Sequence, residues 1–176
     1  MRFTETPLPG AYTIDITPVS DDRGFFARAW APQDFERLGL DPTLVQCSVS
    51  WNRVRGTLRG LHFQRDPFAE VKIVRCTRGA ILDVIVDLRR ESPAFCGWTS
   101  VELSGENRRA LYIPKGFGHG YITLTDDAEI YYHVSAPYSP EHADGVRWDD
   151  PAFGIEWPLE PVAMSERDRQ WRTFQK

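Results

Sequence analysis

Short apolar or alternating runs, cut apart by glycine and proline turns, constrain this chain more than any other feature. They cover residues 12–16, 58–63, 71–76, 80–88, 98–103, 110–113, 120–124 and 129–134. Between them stand Arg78-Gly79, Ser92-Pro93, Ser104-Gly105-Glu106-Asn107 and Pro114-Lys115-Gly116. Many short strands punctuated in this way read as an all-β sandwich or barrel. Helices are accessories: one over residues 32–38, with Pro32 in its first turn and Gly39 closing its end, and one after Ser165, where Ser-Glu-Arg-Asp offers an N-cap and acidic first-turn groups.

The chain of 176 residues reads as a single domain over its whole length, 1–176, without a linker, repeat or low-complexity stretch. A domain near this size hides roughly 70% of its unfolded surface, enough for one core without disulfides. A formal charge of −4 argues against a nonspecific nucleic-acid binder, though not against a local cationic pocket. The three cysteines Cys47, Cys76 and Cys96 form no CxxC pair, so reduced thiols are expected. No run approaches the roughly 20 apolar residues of a membrane span, and MRFTETPLPG lacks the core of a signal peptide. The expected location is therefore cytoplasmic, with no membrane partner.

Only four histidines occur, at 62, 119, 133 and 142. In TLRGLHFQ, period two sets Leu58, Gly60, His62 and Gln64 on one face, with Gly60 expected to leave room before the imidazole. Arg59 then falls on the other face, and using it together with His62 requires twist, a bulge or a neighbouring subunit. On these grounds His62 is either structural or catalytic. Lys72 sits inside the apolar run VKIVRC, where an ammonium is costly unless an anion or polar ligand meets it; the bland reading is an edge-strand gatekeeper. His119 lies among glycines in PKGFGHGY, which suits a pocket wall or an ordinary bend. In IYYHV, alternation sends Tyr132 with Ile130 and Val134, and His133 with Tyr131 to the opposite face. The histidine spacing shows no metal-ligand signature, and no glycine-rich strand-to-helix fingerprint supports a nicotinamide cofactor, so the expected chemistry uses side chains alone.

The combination of RGLHFQ at 59–64, Lys72 in VKIVRC, PKGFGHGY at 114–121, and YSP followed by WDDPAFGIEWP resembles the dTDP-4-dehydrorhamnose 3,5-epimerase family, from DDRGFF at 21–26 through SERD at 165–168. The resemblance implies a cupin-like jelly-roll barrel with short accessory helices, a homodimer, no metal and no cofactor. It also implies epimerisation at C3 and/or C5 of a nucleotide-diphosphate-linked 4-keto-6-deoxyhexose. By the matching motifs, His62 corresponds to the general base, Asp168 to the carboxylate that orients it, Tyr132 to the proton donor on the opposite sugar face, and Lys72 to the cation near the keto oxygen. Arg23, Arg59 and His119 correspond to diphosphate or sugar contacts, Tyr138 to an aromatic stacked near the nucleotide, and Gln46 to a base contact. Phe26, Ser48 and Arg167 fall in matching substrate-binding segments. Arg28, Ser48, Ala143 and Arg167 depart from the residues more common in the family, all toward the nucleotide end. A sugar-nucleotide ketoisomerase and a non-catalytic sugar-nucleotide binder are the alternatives.

The chemistry is coherent with these residue types. Hydrogens at C3 and C5 are both α to a C4 ketone. An imidazole of unperturbed pKa about 6.5 is a suitable base near neutrality, and an ammonium in a partly dry cavity stabilises an enolate oxygen.

Overall fold

In the computed structural model, which describes residues 1–175, the alternating runs become strands whose two faces bury different neighbours. One sheet has six strands in the order β1 (Arg2–Glu5), β2 (Tyr12–Asp15), β10 (Ala110–Ile113), β7 (Lys72–Arg78), β12 (Ala128–Val134) and β5 (Gln46–Asn52). The second has five: β13 (Ala143–Gly145), β6 (Leu58–Gln64), β11 (Phe117–Thr123), β8 (Ala80–Asp87) and β9 (Trp98–Ser104). A separate hairpin joins β3 (Val19–Asp21) to β4 (Gly24–Phe26). The strand pairs within these sheets are antiparallel, as in the β7–β12 and β8–β11 ladders.

Three apolar layers follow from the alternation. Val74, Cys76, Ile81, Ile85, Leu111 and Ile130 point inward from both sheets and form the central core. The outer face of the six-stranded sheet carries Ile14, Ile73 and Tyr112, covered by Phe35 of α1 (Pro32–Glu36). Val84 and Val86 on the outer face of the other sheet are covered by Val146, Phe153 and Phe174 of the C-terminal segment. Full burial of each such aliphatic side chain contributes about 1.5–3 kcal/mol. The second helix, α2 (Glu166–Arg169), begins as expected at Ser165, whose Oγ accepts the Asp168 amide at 3.1 Å.

The jelly-roll barrel expected from the sequence is not what forms. The fold is mostly β with short helices, but the two sheets stay separate, and among the described residues no named strand of one sheet pairs with a strand of the other. The reason lies in the connections. β5 to β6, β6 to β7, β7 to β8, β9 to β10, β10 to β11, β11 to β12 and β12 to β13 each cross from one sheet to the other, so among the described residues only β1–β2, β3–β4 and β8–β9 pair in sequence. Edges therefore remain at β1 and β5 and at β13 and β9, an open sandwich rather than a closed ring.

Two local readings are resolved here. Of the pocket wall and the bend left open for the glycine-rich segment, the bend falls away, since the chain is strand from Phe117. Gly60 does not clear space for a ligand; it lets β6 approach β11. A Cβ at Gly60, whose φ is +137°, would lie 2.5 Å from the Gly120 Cα, and one at Gly120 would lie 2.7 Å from the Arg59 carbonyl oxygen.

Candidate active site

That close approach coincides with a register shift. His62 stands opposite His119, but Arg59 stands opposite Tyr121, so three residue steps on β6 match two on β11. A bulge of this kind turns the strand by one residue. It puts Arg59 and His62 on the same cavity, while Leu61 is fully buried in the outer layer. The bulge named as a condition in the sequence is the device the chain uses.

The cavity, about 760 Å³, opens between the sheets and lies in the range of small-molecule sites. Its lining contains His62, Lys72, Tyr132, Asp168, Arg59 and His119, and toward the mouth Gln46, Ser48, Tyr138 and Arg167. Arg23 and Phe26 are not among them. They lie on the β3–β4 hairpin, where Arg23 pairs with Asp21 at 2.6 Å and Phe26 is 80% exposed.

His62 Nε2 meets Asp168 Oδ1 at 2.5 Å. The carboxylate comes from α2, and it is further fixed by Trp171 Nε1, which donates to Oδ1 at 3.2 Å. Burial pushes the Asp168 carboxyl up, but the hydrogen bond and charge of His62, with the bonds from Ser165 and Trp171, outweigh it and leave the pKa below 3.8. Asp168 is therefore a resident anion that holds one ring nitrogen and leaves Nδ1 for another task. His62 remains 42% exposed at its side chain, so a ligand can reach it.

Lys72 resolves as the buried cation rather than the gatekeeper. Its inward face is shared with Val74 and Cys76 of the core, and its Nζ lies 3.2 Å from Glu70 Oε1 and donates to the His62 carbonyl at 3.1 Å. The ammonium thus sits beside His62, on the cavity wall. Across from β6, on the other sheet, Tyr132 points inward with Ile130 and Val134, as alternation requires. Desolvation raises the Tyr132 phenol well above 10, and the neighbouring Tyr121 and Asp83 add to that effect. It is a neutral proton carrier at ordinary pH.

His119 is almost fully buried and its Nε2 meets Asp83 Oδ1 at 2.8 Å. At the mouth, Gln46 Nε2 donates to Ser48 Oγ at 3.2 Å, and Arg167 donates to the Tyr138 hydroxyl at 3.5 Å. Ser48, Ala143 and Arg167, three of the four departures from the family pattern, all line this mouth, whereas Arg28 does not. Among the described residues no group of three or more His, Cys, Asp or Glu is placed to hold a metal ion, and no helix is long and apolar enough to cross a membrane.

Four contributors escaped the sequence reading. Glu70 sits two residues before Lys72, the spacing that brings two strand residues to one face. Asp83 interrupts the apolar run AILDVIVD, the same signal that singled out Lys72. Asn52 and Tyr121 had no such mark, because their partnership crosses the two sheets.

A histidine–carboxylate pair, a carboxylate-held ammonium and a buried phenol converging between two β-sheets have the build of an acid–base enzyme. The comparisons give that class its family. The model of a family described as dTDP-4-dehydrorhamnose 3,5-epimerase matches residues 5–176. A Sinorhizobium fredii dTDP-4-dehydrorhamnose 3,5-epimerase is 50% identical over 169 residues, covering 96% of this chain and 87% of its own. The Bacillus anthracis dTDP-4-dehydrorhamnose 3,5-epimerase, solved with TDP and PPi bound, superposes with a TM-score of 0.94 at 40% identity, covering 98% and 99% of the two chains. A Legionella pneumophila dTDP-6-deoxy-D-glucose-3,5-epimerase, solved with dTDP-4-keto-L-rhamnose, gives a TM-score of 0.91 at 36% identity over 98% of this chain and 92% of its own. This chain belongs to the dTDP-4-dehydrorhamnose 3,5-epimerase family and is an enzyme of the dTDP-sugar epimerase type.

Proposed function

We propose that the protein inverts both C3 and C5 of a dTDP-linked 4-keto-6-deoxyhexose, with His62 as base and Tyr132 as acid. The observation that carries this reading is their placement: His62 on β6 and Tyr132 on β12 reach one cavity from opposing sheets. A sugar ring lying between them presents one face to each.

In this reading His62, oriented by Asp168, takes the hydrogen α to the ketone, and the C–H electron pair moves into the enolate. Its negative oxygen is met by Lys72. Tyr132 then donates its proton to the same carbon from the other face, and the resulting phenolate is reprotonated before the next cycle. A phenol of raised pKa suffices, because the carbon acid it regenerates is weaker still. Arg59 and His119 contact diphosphate or sugar, and Gln46, Ser48, Tyr138 and Arg167 hold the nucleotide at the mouth. Binding through that handle fixes the ring in reactive geometry.

The protein acts as a homodimer in this reading. Val45, Val49 and Trp51 stand more than half exposed on the edge strand β5 and just before it, and the hairpin that carries Arg23 and Phe26 stands outside its own chain's cavity. A second copy is what would bury these side chains and give Arg23 and Phe26 a ligand to contact. The site of action is the cytoplasm, where nucleotide-linked sugars are made. Light-scattering mass measurement of the purified protein tests the dimer; a monomeric mass at working concentration removes it.

The reaction is tested by incubating the protein with dTDP-4-keto-6-deoxyglucose in deuterium oxide and following C3 and C5 by NMR. Deuterium at both carbons with inverted configuration is expected. Label at C3 alone reduces the claim to one centre, and no label at either removes the epimerase reading. Tyr132→Phe should suppress inversion more than exchange, since the base survives.

A further inference from the structure

Lys72 does not stand alone in the cavity wall. Val71 is buried in the outer layer with Phe35, and Glu70 and Lys72 on either side of it both line the cavity. The backbone between them is pinned: the Val71 amide donates to Ser135 Oγ at 2.8 Å, and its carbonyl accepts the Ser135 amide at 3.0 Å. Both side chains are nearly closed to solvent, Glu70 at 7% and Lys72 at 13% exposure, with Glu70 Oε1 and Lys72 Nζ 3.2 Å apart as an ion pair. Lys72 Nζ also donates to the His62 carbonyl at 3.1 Å. Glu70 Oε2 is buried and meets no hydrogen-bond donor among the described residues. A buried ion pair stabilises little against an apolar replacement, and a carboxylate oxygen without a donor adds a further cost. Stability alone does not account for Glu70.

We infer that Glu70 is a positioning residue for Lys72, and that together with the His62 carbonyl it aims the ammonium at the ketone oxygen of the bound sugar. This role presupposes the proposed contact between Lys72 and that oxygen and adds what directs it. A lysine ammonium rides on a flexible four-carbon stem and carries three rotatable N–H donors, so its direction is set by whatever holds the nitrogen. Here a carboxylate answers the charge, and a carbonyl ties the nitrogen to the strand that carries His62. The part of the ammonium left over is offered to the cavity, at a set distance from the His62 backbone. The enolates formed by loss of the C3 or the C5 hydrogen both carry their charge on the C4 oxygen. Glu70 therefore serves both centres alike, and it governs the proton's departure rather than the face to which a proton returns.

The test is Glu70→Gln, which keeps the length of the side chain and one acceptor but returns no charge. An ammonium without its counter-charge gains by turning toward the open mouth, where water solvates it. Deuterium exchange is expected to fall about tenfold, by the same factor at C3 and C5, the scale of one weakened charge-assisted contact. The fall lies in kcat, with KM changed less than about twofold, because the enolate charge develops only beyond the ground state. Glu70→Asp keeps the charge but withdraws it by one methylene, and should lose about as much; it carries the test if Glu70→Gln fails to fold. Lys72→Met supplies the control that separates aiming from structure. On that background Glu70→Gln should change exchange less than about twofold, since no ammonium is left to aim. A tenfold loss on both backgrounds makes Glu70 a structural residue and overturns the inference, as does wild-type exchange in either folded Glu70 variant; both outcomes spare the epimerase reading. A wild-type protein that exchanges at neither carbon removes that reading, and this role with it.

Discussion

Two histidine–carboxylate pairs sit side by side in this molecule, and the contrast between them explains the site. His62 and His119 are cross-strand partners on β6 and β11. Each binds an aspartate through Nε2, at 2.5 Å and 2.8 Å respectively. The sources differ. Asp83 comes from β8, the next strand in the same sheet, so its pair is formed by the core ladder itself. Asp168 comes from a one-turn helix 106 residues from His62 and reaches the sheet from outside. Exposure differs as well: the side chains of His119 and Asp83 are 5% and 0% exposed, against 42% for His62. A ligand proton is within reach of only one of these imidazoles. The other is a wall whose ring lies edge-on to Tyr132, 6.3 Å between centroids. In the proposed reaction identical chemistry gives a base in one case and a polar cavity wall in the other, because burial decides which ring can take a proton from substrate.

The largest expected effect falls on the exposed pair. His62→Ala should lower deuterium exchange at every epimerised carbon by about 10²–10⁴-fold, the range of a positioned general base, while dTDP still binds by calorimetry. Wild-type exchange in this variant would take the base role from His62. Asp168→Asn comes next, at about 10²-fold in exchange rate, because the amide holds the ring but supplies no charge to the imidazolium.

Asp83→Asn should reverse the pattern. The buried pair takes no proton from substrate in the proposed reaction, so its loss is read chiefly in stability: about 1–3 kcal/mol for a disturbed buried polar group, or a melting temperature lower by about 2–4 °C per kcal/mol in a chain of this size. Its exchange rate should stay well above that of Asp168→Asn. If the two asparagine variants lose rate equally, the distinction between base and wall is wrong.

The two pairs also differ in how far the sequence revealed them. Alternation alone placed Tyr132 inward and His133 outward, and the misfit of a lysine in VKIVRC marked the cavity wall correctly, since both depend on residues two apart on one strand. The same reasoning applied to AILDVIVD would have found Asp83. The resemblance supplied Asp168, which no local pattern ties to His62. Sheet closure was not legible, because a turn such as Arg78-Gly79 looks the same whether its strands pair or part to opposite sheets. Nor was the β6 bulge: Gly60 announces that something unusual happens, but not whether it clears a space or closes one. Asn52 and Tyr121 stayed hidden for the first of these reasons, as their contact exists only once the two sheets are stacked.

The smallest predicted effect concerns acid stability and again separates Asp168 from its surroundings. Because its pKa lies below 3.8 in the folded chain, the unfolded chain binds the more protons as pH falls. The carboxylate's contribution is thus complete above about pH 5, and is lost as pH drops past the unfolded value and through the folded one. Asp15 and Asp87 are also held low, by Arg109 and Arg2 and by Arg89 and Ser92 against the upward push of burial, so wild-type acid sensitivity is shared. The difference between wild type and Asp168→Asn isolates one contributor. Urea midpoints across this range should show a constant gap above about pH 5 that narrows steadily below pH 4. A gap that stays constant into strong acid would mean that the folded chain gains nothing from the charge on Asp168, and that its hold on His62 is geometric alone.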